Sequence, residues 1–510
     1  MNKKIILLLL LVGVLFSEVV LAELPQRKLI IAPGTLAATS VTLIWDKPED
    51  FGSIVRYHIF LNGKAIATSN KCNYRINALS PQQTYTCVIK TEGKNGKLTT
   101  LTKSTQFVTK AIGKQLDVTQ YGAKGDGNTI NTQAIQKAID ACPVGGTVVI
   151  PKGVFKSGAL FLKSQMTLEI LKDGVLKGST DEADYLPYIN NRFEGWEMKT
   201  YASLLNAGVM NNKGGYAVED LSIRGEGTIS GGSSTLGKAM IDKGGMRSRG
   251  RLILLMNCLN VEIQGLKIKD SPCWTIHYIY SKGISCHDLS IESTARNGDG
   301  LDPDSSEDSY IFNCTFSTGD DCIAIKSGKN PEGFTIGKPT RNVRITDCNF
   351  TRGHGISIGS EMSGGVSDVL VQDCKAGNLL HGMQIKGTKE RGGYVKNITV
   401  ADCQLLKITI FSAVNYNNDG NAASEIPTFE NFIFRNINLS AASTKEPVIN
   451  INGFKDPWHR LKRVSFTNVN VAENAQVLVN DGEKIKFINV KSISGAKPQY
   501  SVNNSVEIEY

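Results

Sequence analysis

The sequence lacks the features of several protein classes. After the first 22 residues, no stretch approaches the roughly 18 apolar residues that a membrane-spanning helix needs, so we expect no membrane partner. The 11 cysteines contain no C-x-x-C pair, which argues against a zinc site. The glycine-rich "GAKGDG" turn lacks a Gly-Lys-Ser/Thr ending, which argues against nucleotide binding. Helical patterns are nearly absent, which favours a β protein.

The first residues have the pattern of an export signal. Lys3 and Lys4 precede the apolar run "IILLLLLVGVLF", and Val20 and Ala22 occupy the small-residue positions of a cleavage site. This pattern predicts a signal peptide over 1–22 and a secreted protein, extracellular or periplasmic. Because the number of cysteines is odd, at least one has no intramolecular disulfide partner. The formal net charge of +9 suits a polyanionic partner.

Residues 23–112 are predicted to form a small β-sandwich. Several short strand patterns alternate with turn signals, and "LNGK" is typical of a tight turn between two strands. Trp45, Tyr57 and "LSPQQTY", which looks like a tyrosine corner, together resemble a fibronectin type III domain. Whether Cys72 and Cys87 pair stays open. The module is predicted to be a spacer or docking unit, with sugar binding as the alternative.

Residues 113–510 are predicted to form a parallel β-helix. The segment "NTQAIQKAIDAC" predicts a short helix near the start of this region. After residue 250 a loose repeat of 21 to 34 residues follows, and a short β-branched strand precedes most of its Asn or Asp anchors. Such a repeat signals a solenoid, in which each coil adds a rung about 4.8 Å above the last. The repeated anchors are Asp288, Asn313, Asp347, Asp373, Asp402, Asn436, Asn468 and Asn489.

Two positions of this repeat predict local structure. The Asn or Asp is expected in the turn between strands. Cys314, Cys348, Cys374 and Cys403 each follow such an anchor and share one register, so we expect an internal packing stack and no metal site.

The coil length also organises the polar residues of the second half. Five positions follow one another at intervals of 21, 34, 32 and 30 residues, each about one coil. In a β-helix, residues one coil apart stack on the same face. The sequence therefore predicts one surface strip that contains Asp299, Asp320 with Asp321, His354, Lys386 and Tyr416.

This strip has the chemistry of a glycosidase. It offers three carboxylates, an imidazole, an ammonium and a phenol, with no serine or cysteine nucleophile beside its own base. Paired carboxylates suit glycoside hydrolysis, because one protonates the leaving oxygen while the other activates water or attacks the sugar carbon. Repulsion between carboxylates keeps one of them protonated. Lys386 and His354 suit a substrate carboxylate, which points to an acidic sugar polymer and requires no metal or cofactor.

Four motifs now carry a family resemblance. The segments "NGDGLD", "TGDDCIAIKSG", "GHGISIGS" and "MQIKGT" occur in the order of the four signature segments of the polygalacturonase family of glycoside hydrolases, and the chain resembles that family over roughly 115–495. The resemblance implies a right-handed parallel β-helix and hydrolysis of α-1,4-linked galacturonate with inversion. Inversion implies carboxyl groups about 6.5–9.5 Å apart.

The resemblance also implies roles for single residues. Asp320 matches the general acid, and Asp299 and Asp321 match the pair that activates water. His354 matches the histidine that tunes or orients the acid. Lys386 matches the lysine that binds a substrate carboxylate.

The substrate-binding residues include one departure from the family. Tyr416 matches a tyrosine of the sugar subsites. Where family members have Arg-x-Lys, this chain has Gln384-Ile385-Lys386, and a neutral glutamine cannot replace the charged arginine fork. Arg391 is our candidate for the missing charge.

The domain order resembles that of bacterial exo-acting members of the family. In those enzymes a fibronectin type III module precedes the β-helix, and inserted loops block one end of the groove. The long, irregular segment 178–250 is predicted to form such a block, with aromatic residues that cap a chain end. We expect a monomer that binds polygalacturonate or pectin and no nucleic acid.

Four other functions stay open at this point. They are endo-polygalacturonase action, hydrolysis of rhamnogalacturonan or xylogalacturonan because of Gln384, a calcium-dependent pectate lyase, and a non-catalytic pectin-binding β-helix. The lyase is an alternative because crowded aspartates can bind calcium.

Several other polar and aromatic residues are predicted to have structural roles. His277 and His287 are expected to be structural, and Trp458 and His459 to pack. The predicted turn and surface residues are Asp302, Asp304, Glu307 and Asp308, of which Asp302 is the one placed to assist the site.

Overall fold

A computed structural model describes residues 28–48, 51–412, 420–443 and 445–510. The chain forms two compact units. Among the described residues, the first comprises 28–30, Leu43–Tyr74 and Thr84–Phe107, and the second comprises Ile31–Thr42, Arg75–Gln83 and Val108–Tyr510. The predicted signal peptide lies outside the described residues.

The strands before residue 109 form two small sheets. One contains Leu29–Ile31, Val41–Trp45 and Asn73–Ile76, and the other contains Lys64–Ser69, Ile54–Leu61, Thr84–Gly93, Leu98–Thr100 and Thr105–Val108. In the second sheet the pairings within 54–100 are antiparallel. The predicted turn at "LNGK" is confirmed, since Asn62 and Gly63 lie at φ 49° and 79° between two paired strands. Trp45 packs edge-on against Tyr57, with ring centroids 5.3 Å apart.

The predicted parallel β-helix is confirmed. Its three sheets consist of parallel strands from successive coils, and apolar residues of successive coils stack in register inside it. In one such column Ile323 pairs with Ile356, which pairs with Met383, and all three are completely buried. The apolar interior therefore repeats from rung to rung, and the polar positions of each strand point outward.

The strand bounds of the three sheets follow the coil repeat. The groove sheet contains Leu160–Leu162, Leu205–Gly208, Ile253–Met256, Ile276–Ile279, Leu301–Asp304, Ile323–Ile325, Ile356–Ile358, Met383–Gly387, Ile408–Ser412, Ile449–Asn452, Gln476–Asn480 and Gln499–Asn503. The long sheet contains Gln115–Asp117, Thr147–Ile150, Thr167–Ile170, Val218–Gly225, Cys258–Gln264, Lys282–His287, Glu307–Phe312, Thr340–Thr346, Val366–Gln372, Tyr394–Ala401, Thr428–Leu439, Leu461–Val471, Gly482–Ser492 and Val506–Glu509. The short sheet contains Asp126–Ile130, Gly153–Ser157, Gly174–Gly178, Thr228–Ser230, Lys267–Lys269, Ser290–Glu292, Thr315–Ser317, Asn349–Gly353 and Lys375–Leu379.

The repeated Asn or Asp anchors have the turn role that the sequence predicts. All eight lie in the left-handed region, at φ between 53° and 55°. Asn and Asp adopt this conformation more readily than other side chains that carry a Cβ, because their short polar groups bond locally. Each anchor therefore bends its coil at the end of a long-sheet strand or, in the last coils, within it.

The cysteines pack inside the coils. Cys314, Cys348, Cys374 and Cys403 are buried, and the backbone N–H of Cys374 donates to Sγ of Cys403 at 3.5 Å, as expected for a stack. All 11 cysteines lie among the described residues, and none forms a disulfide. The open question of Cys72 and Cys87 is thereby answered, since Sγ of Cys72 bonds to the Tyr57 hydroxyl at 3.4 Å.

The helices are few and short. The predicted helix is confirmed at Thr132–Ala141, and it buries Ile135, Ala138 and Ile139. The other described α-helices and 3-10 helices are Ser233–Gly244, Glu332–Ile336, Phe51–Ser53, Val118–Tyr121, Glu182–Tyr185 and Met246–Ser248. In the part of the chain that the structure describes, none of the helices has the length and apolarity to cross a membrane.

A hairpin from the 178–250 insertion covers part of the groove sheet. Its strands, Ile189–Phe193 and Trp196–Thr200, are antiparallel. Arg192 of the hairpin is fully buried, and its guanidinium donates to Asp304 Oδ1 at 2.7 Å and to the Ser305 hydroxyl at 2.8 Å. The prediction that Asp302 and Asp304 are turn or surface residues is therefore wrong, because both lie in a strand and are completely buried.

The other structural predictions have mixed outcomes. His277 and His287 are completely buried, as expected for structural residues. Glu307 and Asp308 are partly exposed. Trp458 was predicted to pack, which is wrong, since it is 82% exposed. Phe454 of the same loop enters the core in its place, at 5.0 Å from the Phe429 ring.

Candidate active site

The candidate site is a groove of about 770 Å³ over the groove sheet. Gln384, Thr409 and Asn450 lie in consecutive register on the outward positions of three strands and form its floor. Residues that precede the strands line one side of the groove, and residues that follow the strands line the other. The parallel coils therefore bring together side chains that are far apart in the sequence.

The structure brings six of the eight predicted site residues into this groove. They are Asp299, Asp320, Asp321, His354, Gln384 and Lys386. Tyr416 lies outside the described residues. The remaining prediction is corrected. Arg391 is completely buried, its Nε donates to the Ser360 carbonyl at 2.7 Å, and another of its nitrogens donates to Asn330 Oδ1 at 2.6 Å, so its fork points into the protein.

Backbone hydrogen bonds between rungs align the reactive side chains. The N–H of Gly300 donates to the Asp321 carbonyl at 3.0 Å, and the N–H of His354 donates to the Asp320 carbonyl at 2.9 Å. Asp299, the Asp320–Asp321 pair and His354 therefore lie on three successive coils. This is the arrangement that the coil spacing predicts.

Asp320 and His354 form a hydrogen-bonded pair. Nδ1 of His354 lies 3.0 Å from Asp320 Oδ1 and 3.7 Å from Asp321 Oδ1. The hydrogen bond to Asp320 outweighs burial and raises the pKa of His354. Burial raises the pKa of Asp320, but the hydrogen bond and charge of His354 outweigh it, and the net shift is downward. The two shifts together favour the ion pair, in which the imidazole carries the proton and Asp320 is ionised.

Two other side chains contact the Asp321 carboxylate. The Ser357 hydroxyl donates to Asp321 Oδ1 at 2.7 Å, and the Lys386 ammonium lies 3.5 Å from Oδ2. These contacts fix the orientation of the carboxylate toward the groove.

Asp299 is only 3% exposed and lies beside an ammonium group. Burial raises its pKa, the charge of Lys326 opposes this, and the negative charges of Asp320 and Asp321 raise the pKa further. Lys326 Nζ lies 3.8 Å from Asp299 Oδ2 and 3.3 Å from Glu361 Oε2. The ammonium also lies 4.7 Å from the centre of the Trp274 ring.

Sequence reasoning missed several groove residues. Lys326 and Glu361 follow strands on neighbouring coils, at the ends of "IAIK" and "ISIGSE". The coil spacing therefore relates them too, but only at positions that follow the strands, whereas the predicted strip consists mainly of residues that precede them. Glu194 and Arg247 come from the insertion, where no repeat operates. Only their placement in three dimensions identifies them.

Residues of the insertion line one end of the groove. Glu194 and Arg247 both reach it, and their side chains pair at 2.7 Å. The Trp196 indole donates to the Asn330 carbonyl at 2.9 Å, and its ring lies 4.8 Å from the Arg247 guanidinium and 4.4 Å from the Lys329 ammonium. An aromatic ring and two cations therefore form a fixed wall at this end.

One group of residues has the proximity needed for a metal. Among the described residues, the possible ligand atoms of Asp320, Asp321 and His354 lie within 4.8 Å of one another. Two carboxylates and an imidazole are a poor match for calcium, which takes six to eight oxygen ligands. The three residues suit proton transfer instead, with Asp320 as the acid, His354 as its hydrogen-bonded partner and Asp321 as a neighbouring carboxylate.

Comparisons with known proteins agree with this geometry. The chain is 28% identical over 549 aligned residues to the exo-poly-alpha-D-galacturonosidase of Dickeya chrysanthemi, with 92% of this chain and 90% of that protein covered. It is 26% identical to the endo-polygalacturonase of Pectobacterium parmentieri, over 72% of this chain and 89% of that protein.

Among solved structures, the Yersinia enterocolitica family 28 exopolygalacturonase matches with a TM-score of 0.85 and 25% identity, covering 95% of this chain and 98% of that one. The hyperthermoactive exopolygalacturonase of Thermotoga maritima matches with a TM-score of 0.65 and 27% identity, covering 74% of this chain and 92% of that one.

The family models match the β-helix region. Residues 115–169 match a model described as rhamnogalacturonase A/epimerase, pectate lyase-like. Residues 146–495, which contain all four motifs, match the model described as glycosyl hydrolases family 28. With this match over most of its length, the chain belongs to glycosyl hydrolases family 28 and is a glycoside hydrolase.

Proposed function

We propose that this enzyme hydrolyses the α-1,4 bonds of polygalacturonate from a chain end, with inversion. The observation that carries the proposal is the Asp320–His354 pair, at 3.0 Å, beside Asp299 and Asp321 in a groove lined by lysines. The exo-acting relatives from Dickeya and Yersinia support it, since they resemble this chain over more than nine tenths of its length.

The residues divide the chemistry between two sides of one bond. Asp320 donates its proton to the glycosidic oxygen as the bond to the anomeric carbon breaks. Asp299 and Asp321 hold a water on the opposite face and accept its proton while the oxygen attacks that carbon. For this step the proton passes from Nδ1 of His354 to Asp320 along the 3.0 Å contact between them, and Asp320 then delivers it to the leaving oxygen. After release of the product, the proton from water returns to the pair through solvent.

The charge of the groove suits an acidic sugar. Lys386 and Lys407 line the groove on one side of the reactive carboxylates, and Arg247 and Lys329 line it on the opposite side. Each sugar of polygalacturonate carries a carboxylate, so cations on both sides of the reactive carboxylates bind successive units. Gln384 on the floor offers an amide, which hydrogen-bonds hydroxyl or carboxylate oxygens without adding charge.

The wall of Trp196, Arg247 and Lys329 supports cleavage from a chain end. A groove that is closed at one end admits only the terminal sugars on that side, whereas an open groove binds the polymer anywhere along its length. We also propose that the protein is exported, acts as a monomer, and carries a fibronectin type III-like module ahead of its β-helix.

The test is a digest of polygalacturonate with early products identified by mass. Monomer or dimer from the first time points supports exo action, whereas a ladder of oligomers means endo action. A product with an unsaturated ring means a lyase. If the wild type releases no reducing ends from polygalacturonate and cuts neither rhamnogalacturonan nor xylogalacturonan, the protein is non-catalytic. An Asp320→Asn preparation purified in parallel controls for contaminating hydrolases.

A further inference from the structure

A second aspartate lies buried against Asp299. Asp302 is completely buried at an outward position of the strand Leu301–Asp304, and it is within hydrogen-bonding reach of Asp299. Within the described ranges, neither carboxylate oxygen of Asp302 has a conventional donor among the other protein groups. A buried carboxylate in this position must be neutralised or protonated, because an unpaired buried charge is strongly unfavourable.

The Lys326 ammonium beside this pair is shared among three carboxylates. Lys326 Nζ lies 3.8 Å from Asp302 Oδ1, 3.8 Å from Asp299 Oδ2 and 3.3 Å from Glu361 Oε2. The ammonium is nearest to Glu361, whose side chain is 15% exposed. Arg251 also acts on Asp302, and Lys329 and Arg391 act on Glu361. Asp299 and Asp302 nevertheless lie within hydrogen-bonding reach of each other in a buried place, where two ionised carboxylates repel, so this pair retains a proton. Asp302 is the most enclosed member and has the fewest donors, so the proton lies there.

We propose that Asp302 is a protonated positioning residue, whose O–H donates to Asp299 and, together with the Lys326 ammonium, holds Asp299 as an oriented carboxylate facing the groove. This inference rests on the proposed function and deepens it. Burial raises the pKa of Asp302, and the neighbouring charge of Asp299 raises it further, which agrees with a proton that stays in place during turnover. Asp302 itself does not touch the substrate.

The decisive test compares two replacements of Asp302. In Asp302→Asn the amide N–H₂ replaces the O–H donor, so kcat should stay within about fivefold of the wild type. In Asp302→Ala the donor is lost, and kcat should fall about a hundredfold with little change in KM, within the range of general acid–base contributions. Near-ultraviolet circular dichroism and a thermal melt check the fold. If Asp302→Ala does not fold, Asp302→Val fills the volume without a donor and takes its place.

Two outcomes of this comparison overturn the inference. If folded Asp302→Asn is as slow as the variant without a donor, Asp302 acts as a charge. If both variants keep wild-type kcat, Asp302 has no part in the reaction.

The role of Lys326 has its own readout, the pH profile of kcat/KM. The ammonium favours the ionised form of Asp299, so in Lys326→Met the carboxylate takes up a proton at higher pH, and the acidic limb should move up by about one pH unit. The other charged groups that face the pair, Asp320, Asp321 and Arg251, are unchanged in this variant. Lys338→Met, on the loop that follows Lys326, should leave the limb in place. If the acidic limb of Lys326→Met lies at the same pH as that of the wild type, the proposed role of Lys326 is wrong.

A measurement without turnover separates this inference from the proposed function. Carbon-13 labelling of aspartate carboxyls, with Asp302 assigned by loss of its signal in Asp302→Asn, should show a protonated Asp302 at pH 7. An ionised Asp302 at that pH overturns the inference whatever the activity. A protonated Asp302 in an enzyme that does not cut polygalacturonate leaves the inference standing and rejects the proposed function.

Discussion

At the scale of single residues, the site depends on carboxylates whose surroundings differ. Asp320 bonds to an imidazole, Asp321 to a hydroxyl, and Asp299 lies beside an ammonium. The pKa of Asp299 is thereby raised and that of Asp320 lowered, although the two groups are chemically identical and lie in one groove. Sequence spacing predicts that they meet, but their separate roles depend on neighbours from other coils.

The first prediction concerns the acid. In Asp320→Asn the side chain keeps its shape but cannot donate a proton to the leaving oxygen. We expect kcat on polygalacturonate to fall by about 10²- to 10⁴-fold, the usual contribution of a general acid, while KM changes little. Initial rates of reducing-end release measure both constants. A KM that rises in proportion to the loss of kcat would mean that Asp320 binds substrate and does not protonate it.

The second prediction concerns pH. The pKa of His354 is raised by its hydrogen bond to Asp320, so the proton of the pair persists above the usual range of histidine and is lost as pH rises through the raised value. The rate should therefore fall on the alkaline side with the titration of His354. In His354→Asn this limb should move or vanish, which a pH profile of kcat/KM measures. An unchanged alkaline limb in the variant would assign it to another group.

At the scale of elements, the coil repeat explains what the sequence predicts and what it leaves out. Strands, turns and the strip of reactive residues recur with the coil, so spacing alone places Asp299, Asp320 and His354 together. The hairpin at Ile189–Thr200 belongs to no repeat, and for this reason the burial of Asp304 beneath Arg192 could not be predicted. Arg391 follows a groove-sheet strand, but its direction depends on Ser360 and Asn330, which lie on other coils.

The third prediction tests the turn that recurs in each coil. Asn468 lies at φ 54°, accepts a hydrogen bond from Asn489 at 2.8 Å and donates one to Asn436 at 3.2 Å. Asn468→Ala and Asn468→Gly both lose these bonds, but only alanine meets the steric penalty of the left-handed region. Alanine should therefore lower the free energy of unfolding by about 1 kcal/mol more than glycine does. Equal midpoints in urea would show that the hydrogen bonds, and not the backbone conformation, are decisive there.

The fourth prediction tests how the hairpin is attached. The guanidinium of Arg192 donates to Asp304 inside the protein, and removal of one partner leaves the other charge buried. Arg192→Met should therefore destabilise the protein by about 3–5 kcal/mol, measured from the denaturant midpoint.

The matched control for this attachment removes both charges. Arg192→Met combined with Asp304→Leu should recover part of the loss, because no unpaired charge remains. If the double variant is no more stable than the single one, packing of the arginine stem, and not its charge, holds the hairpin.

At the scale of the whole molecule, charge is distributed in two ways. The chain carries a formal net charge of +9, while its reactive carboxylates lie in a groove lined by lysines. A positive molecule attracts a polyanion from a distance, and the groove lysines then compensate the repulsion between substrate carboxylates and the reactive aspartates. Long-range attraction affects the rate of encounter, whereas the aspartates act only after binding.

The fifth prediction separates these two effects by salt. The screening length falls from about 30 Å at 0.01 M salt to about 8 Å at 0.15 M, so attraction of polygalacturonate to the enzyme weakens while the chemistry inside the groove changes little. We expect kcat/KM to fall about tenfold over this range with kcat nearly constant. Lys386→Met should lower kcat/KM at every salt concentration and reduce the slope, because one cation in the groove is lost, whereas Lys396→Met, outside the groove lining, should keep the wild-type slope. Digalacturonate, with two charges, should show a weaker dependence than the polymer. If kcat falls with salt as steeply as kcat/KM does, salt acts on the catalytic groups, and the positive charge of the molecule does not explain the encounter.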